Sequence, residues 1–287
     1  MTFLKKQIYK SSVLVILIMF ISACSNTNLL YTLAKNYIQN EITYFVYLNE
    51  EERVLMTQQV SEMIIWHRTS MLPSYATYLT NIADKIKAGQ YKHSDINEIT
   101  SNGRFLIEKT VIGLTPYASK FLMNHRKIES IEFMEKKIMK RQQDRLDELS
   151  ESENVLYKNR LKRLTSGFER FFGALTNEQL IILEAYTNET LNDKRIRLNN
   201  RIKRQRVFLE FLKTQPNEAS LSEYLNKLLL RGHEIVNSTH QEFSEASLER
   251  FQKLLFSMLE TSSKIQRDKI VSKMLAYAED FKKISNN

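Results

Sequence analysis

One cysteine, three prolines and six glycines are all that the 287-residue chain holds of the residues that staple or punctuate a fold. A lone thiol, Cys24, closes no disulfide within the chain and builds no cysteine-based metal site. Average usage is about 7% Gly and about 5% Pro, so turn formers are scarce. Sheets need turns, and turns need those residues, whereas long helices do not. The five histidines, His67, His93, His125, His233 and His240, are scattered, and His233-Glu234 has no second histidine four residues on. That leaves no zinc-protease pattern. Neither a glycine-rich phosphate loop nor a Gly-x-Ser-x-Gly elbow occurs. The expectation is no metal, no cofactor and no catalytic residue.

What is present is helical spacing. Leu156, Leu161, Leu164, Phe168, Phe171 and Leu175 fall on one face, as do Leu221, Tyr224, Leu225, Leu228 and Leu229, and again Leu248, Phe251, Leu254, Leu255, Met258 and Leu259. The pattern predicts an all-α protein, an elongated bundle of antiparallel helical hairpins with no sheet and no internal domain boundary. Helices are expected over residues 28–48 (with a break near Asn40), 50–71, and from Pro73 to 88. After a loop at 89–93, Ser94 caps the next helix. Thr115-Pro116 opens another, with Thr as cap and Pro in the first position. Further helices are expected over 124–150, 154–174, 178–213, 221–236 and 245–283, with a break or kink at 150–153 and a loop at 214–218. Start signals support several of these. Thr176 with Gln179 and Asn49 with Glu52 have capping-box spacing, Ser244 is a weaker cap, and Asn124 a degenerate one.

Two stretches have the residue types of a binding site. Residues 194–206 carry seven cations and no acid, and Lys194, Arg197, Arg201 and Arg204 step by 3, 4 and 3 along one helical face. Leu191, Leu198, Ile202, Leu209 and Leu212 form the apolar stripe beside it. Those cations either pair with acids of a neighbouring helix (residues 144–153, or Glu129, Glu132 and Glu135) or form a basic concave face for anionic lipid, glycan or unfolded chains. Arginine's planar fork favours phosphate and planar contacts over point charge alone. Trp66, His67 and Arg68 form the second stretch. On a helix they point about 100° apart, so they do not converge on one ligand. Trp66 reads as core with Met63, Ile64, Val54 and Leu55, and His67 and Arg68 as partners of the carbonyls at a helix end before Pro73.

The amino-terminal segment decides the expected location. Lys5, Lys6 and Lys10 precede an apolar run from Val13 to Phe20, and Ile21-Ser22-Ala23 leads to Cys24. This is the layout of a secretory signal, and the run is too short to span a bilayer comfortably. Ile-Ser-Ala-Cys resembles the bacterial lipobox. The resemblance implies cleavage before Cys24, a diacylglyceryl group on its sulfur and an acylated new amino terminus: residues 1–23 are removed and 24–287 form the body. Ser25, where Asp resembles an inner-membrane retention signal, implies the outer membrane with the body facing the periplasm. Leu175-Thr176-Asn177-Glu178-Gln179 is similar to the Leu-Thr-x-x-Gln motif of Spy-type periplasmic chaperones, which are helical, basic and bind unfolded proteins. More broadly, Tyr44-Phe45, Leu48, Trp66-His67-Arg68 and Leu72-Pro73-Ser74-Tyr75 resemble a family of uncharacterised proteobacterial lipoproteins. The expected role is non-enzymatic binding of a macromolecular partner, chaperone-like or scaffolding. Removing residues 1–23, which hold three lysines and no acid, takes the formal charge from +9 to +6, a mildly basic surplus that suits an anionic lipid, glycan or envelope protein, and nucleic acid is not expected outside the cytoplasm. The alternative is an envelope enzyme acting on peptidoglycan or lipid through a site assembled between separated helices.

Overall fold

The computed structural model describes residues 27–89, 91–236 and 239–286; the signal segment and Cys24 lie outside them. Among the described residues the chain is all-α, with no strand. The helices are α1 (Thr27–Phe45), α2 (Glu50–Trp66), a π-helical turn (His67–Met71), α3 (Leu72–Ala88), α4 (His93–Met123), α5 (Ile128–Leu149) and α6 (Glu153–Phe172). They continue as α7 (Asn177–Glu189), α8 (Asp193–Lys213), α9 (Glu218–Leu230), α10 (Gly232–Val236), α11 (Thr239–Glu260) and α12 (Lys264–Asn286). None of them is long and apolar enough to cross a membrane.

Three apolar clusters hold the helices together. The first joins Val46 and Leu48 with Met56 and Val60 of α2, Ile131, Met134 and Ile138 of α5, Leu209 and Leu212 of α8, and Leu221 and Leu225 of α9. The second joins Ile82 and Ile86 of α3 with Ile96, Phe172, Leu183, Leu254, Met258, Leu259 and Ile270. Between them in sequence, Met71, Leu72 and Tyr75 pack on Ile284 and Phe281 of α12, with Trp66 and Leu106. Leu183, Leu212, Leu221 and Met258 are wholly buried, and each such side chain contributes about 1.5–3 kcal/mol relative to exposure. Since Ile284 meets Leu72 and Tyr75 while Ile270 meets Ile82 and Ile86, α12 runs antiparallel to α3.

Several expected boundaries move, each for a local reason. The Thr115-Pro116 start is overturned: α4 runs unbroken through Pro116. Thr115 is buried, its hydroxyl 2.7 Å from both the Val111 carbonyl and Asn226 Oδ1 of α9, while Pro116 lies on the exposed side, where water can serve the carbonyl that its missing N–H leaves unbonded. Asn124 ends α4 rather than opening α5, whose cap is Lys127. Ser244 lies inside α11, and α1 is continuous across Asn40. Lys92, not Ser94, caps α4, and its N–H donates to the Asp95 carboxylate at 2.8 Å. The helix expected over 178–213 breaks at Thr190. This threonine is wholly buried, donates to the Tyr186 carbonyl at 2.6 Å and accepts from Arg160 Nε at 3.0 Å. The break expected at 150–153 does form, with Ser150 ending α5 and Ser152 preceding α6.

The Asn49–Glu52 and Thr176–Gln179 capping boxes both form. A third, not anticipated, links Ser263 and Gln266, with reciprocal bonds of 3.0 and 3.2 Å. Its Ser-x-x-Gln spacing was the available signal. The two boxed glutamines meet: Gln179 Nε2 donates to Gln266 Oε1 at 3.1 Å, and Gln266 Nε2 returns to Gln179 Oε1 at 2.9 Å. The motif that resembles the chaperone phrase thus fastens the start of α7 to the start of α12.

Candidate functional site

The basic run lies on α8, where Leu198, Leu209 and Leu212 of the expected stripe are buried against the first cluster and its neighbours. Lys194, Arg195, Arg197, Lys203 and Arg206 are exposed, whereas Arg201 and Arg204 are half-buried. The helix is anchored at its start by Asp193, only 6% exposed. Arg250 of α11 approaches both Asp193 oxygens at 3.0 Å. Arg197, one turn on, lies 3.7 Å from the same carboxylate and donates to Ser247 Oγ at 2.5 Å. Its guanidinium also sits 5.8 Å from the Phe243 ring centroid. Burial holds the Arg160 guanidinium below its usual range, yet arginine stays charged in proteins. Asp193 therefore faces more cations than it can neutralise. Sequence reading counted the basic run from Lys194 and so missed the acid one residue before it.

α5 and α8 run antiparallel, and their contacts form a ladder. Glu135 lies 3.7 Å from Lys213, Gln142 donates to Gln205 at 2.9 Å, and Glu148 lies 3.6 Å from Lys194. Arg195 reaches the Leu149 carbonyl at 3.4 Å. Lys194 thus pairs with the acidic stretch of α5, and Arg197 with an acid of its own helix. Arg201 and Arg204 are half-buried: burial pushes both guanidinium groups down, and Arg145 and Arg204 push Arg201 down further. The four cations do not form one open face, because their two halves have different surroundings.

The Trp66–Arg68 stretch is not a helix end. α2 passes into the π turn, in which the Leu72 N–H reaches back five residues to the His67 carbonyl, and then directly into α3. The helix end expected before Pro73 is therefore absent, because the backbone stays helical through it. Such π turns are rare and often sit at functional sites. Trp66 packs in the middle cluster, not with Val54 and Leu55, which are 68% and 50% exposed. Its ring covers Gly113 so closely that a methyl group there would lie 1.9 Å from Cζ2. Tyr75 hydrogen-bonds Thr110, and its ring centroid is 5.8 Å from that of His67.

Burial lowers the His67 pKa from 6.5 to about 4. Between those values the unfolded chain binds more protons at this site than the folded one, so stability falls as pH drops through the window and this contribution is spent below about pH 4. The His67→Gln variant should lose about 3 kcal/mol less than the wild type between pH 7 and pH 4, read by urea melts at each pH. His125, also lowered chiefly by burial, acts in the same direction and is common to both proteins. An equal acid loss in the two would contradict this.

Elsewhere, two adjoining hollows of about 160 and 180 Å³ share Tyr91 and Leu259, smaller than the roughly 300–1,000 Å³ of a typical ligand pocket. Among the described residues no three His, Cys, Asp or Glu side chains come together as a metal set.

Residues 44–238 match a family described as a family of unknown function (DUF6279). That span contains the Trp66–Tyr75 stretch and all of α8. No curated protein and no solved structure matches the chain.

Proposed function

We propose a function from the premise that this chain belongs to the DUF6279 family: a lipid-anchored envelope protein, not an enzyme, that holds an anionic macromolecular partner on the outer surface of α8. The tether is the diacylglyceryl group on Cys24, exposed by removal of residues 1–23, and the body faces the periplasm from the outer membrane. The observation that carries the reading is the row of three exposed cations, Arg195, Lys203 and Arg206, which share one side of α8 on a stretch (residues 194–206) without a single acid. Such a row raises the local concentration of anionic partners and speeds their encounter. Its contacts are surface contacts and salt screens them. The partner class is an unfolded or envelope protein of net negative charge, and the role is chaperone-like or scaffolding.

The test uses the full processed chain in mild detergent with a denatured acidic client. The wild type should suppress aggregation at about 0.1 M salt and lose most of that effect at about 1 M, where the Debye length falls from about 10 Å to about 3 Å. The triple variant R195Q/K203Q/R206Q should fail at low salt while keeping its melting temperature. No suppression, together with no salt-sensitive binding to envelope fractions, would overturn the proposal. Mass spectrometry should find a mature chain that starts at a diacylated Cys24, and an intact Met1 would contradict the tether.

A further inference from the structure

α1 turns an uncharged side outward. From residue 33 to its end its exposed positions are Leu33, Asn36, Tyr37 and Asn40. At about 100° per residue these four and the half-buried Tyr44 fall within one arc of about 100°. The charged residues of the helix, Lys35 and Glu41, lie outside that arc. Just past the helix, Tyr47 is 70% exposed, and its ring meets Phe133 of α5 with centroids 6.3 Å apart. Cations edge this stripe. Lys137 Nζ lies 5.2 Å from the Tyr44 ring centroid and 5.1 Å from that of Phe133. Arg141 lies 4.3 Å from the Tyr44 centroid and pairs with Glu41 at 2.9 Å. Lys136 and Lys140 are exposed, and residues 136–143 include no acid.

We propose that the outer stripe of α1, together with Lys136, Lys137 and Lys140 of α5, is the surface on which the body lies against an anionic phospholipid bilayer. The inference rests on the tether at Cys24 in the proposed function. Chain length selects lipid as the occupant: α1 begins three residues after Cys24, a reach of at most about 11 Å. A tether that short brings one end of α1 to the headgroups, and the stripe continues from there along the helix. Tyrosine is the residue type enriched at that depth, and an uncharged stripe meets the interface without desolvating an ion. The lysines beside it are drawn to anionic headgroups, so acyl chains and a basic patch act together as two signals for one membrane.

The test uses the full processed chain in vesicles of phosphatidylcholine with phosphatidylglycerol. Processing leaves Cys24 as a thioether, so an introduced cysteine is the sole free thiol in the chain. A fluorophore on N40C should be quenched by headgroup nitroxides severalfold more strongly than one on N97C. Asn97 is exposed and adjoins Ile96 of the second cluster, to which α1 contributes nothing. K136Q/K140Q should shift the docked fraction roughly thirtyfold toward undocked with no change in melting temperature. L33E, which sets a carboxylate on the stripe, should act in the same direction, and vesicles without phosphatidylglycerol should give the wild type the same loss. Equal quenching of N40C and N97C in a chain that stays on the vesicles overturns the docking surface and leaves the tether standing. A chain that leaves the vesicles and takes up label at position 24 overturns the tether, and this surface with it. A stable dimer in detergent that shields N40C would assign the stripe to a second copy, and shielding that requires an added envelope extract would assign it to a protein; either result overturns the proposal.

Discussion

Replacing Asp193 by Ala should cost about 3–5 kcal/mol, the range for removing one partner of a buried ion pair. The side chain is almost completely enclosed, takes Arg250 on both oxygens at 3.0 Å, and lies 3.7 Å from Arg197. Its loss leaves Arg250, with an Nε already buried and unsatisfied among the described residues, facing Arg197 and Arg160 without an anion. The start of α8 also loses the acid that complements its dipole. Chemical denaturation should show the full drop in the midpoint at an unchanged slope. The double variant D193L/R250L should recover much of it, because an apolar pair can replace a buried ion pair at little cost. A loss below about 1 kcal/mol for D193A would mean that the carboxylate is solvated rather than structural.

Gly113→Ala should be the other large effect, and it inverts the usual rule. Alanine in a helix interior is normally more stable than glycine by about 0.5–1 kcal/mol. Here the new methyl would lie 1.9 Å from Trp66 Cζ2 and 2.0 Å from Cη2, inside a rigid ring rather than at the tip of a flexible chain. Either α2 and α4 part or the indole leaves its place beside Met71, Leu72 and Tyr75. Overpacking of this kind costs about 1–3 kcal/mol and occasionally more, and the upper end applies because neither partner can bend. Gly167 in α6, with nothing within 4 Å of an added methyl, is the internal control: G167A should gain stability where G113A loses it. Thermal melts of the two variants, together with Trp66 fluorescence, decide the matter, since Trp66 is the sole tryptophan. Equal and favourable shifts in both would refute the contact.

The sequence carried the helical class because a 3.6-residue period survives along faces such as Phe251, Leu254 and Met258 and depends only on neighbours a turn away. It carried the Thr176–Gln179 box for the same reason, since both partners lie three residues apart. It did not carry the break at Thr190, which is enforced by Arg160 reaching across from α6, thirty residues upstream. Nor did Pro116 end its helix, because Thr115 is held by Asn226 from a hairpin more than a hundred residues further on. The π turn at His67–Met71 has no local signature, and a capping role for His67 and Arg68 was the natural reading of a helix approaching Pro73. In the candidate site, charge density on α8 was visible at once. The division of its cations between exposed and half-buried was not, because it depends on the register of α5, in particular on Glu148 falling opposite Lys194 and Gln142 opposite Gln205.

From Glu50 to Ala88 the backbone stays helical without a gap, about 58 Å at 1.5 Å per residue. Along the way it lends Met56 and Val60 to one cluster, Met71, Leu72 and Tyr75 to the next, and Ile82 and Ile86 to the third. A single spine thus serves as a shared wall for every apolar compartment. Strain applied at Glu50 is carried along that spine to Ala88, and no compartment can open without exposing a flank of the next.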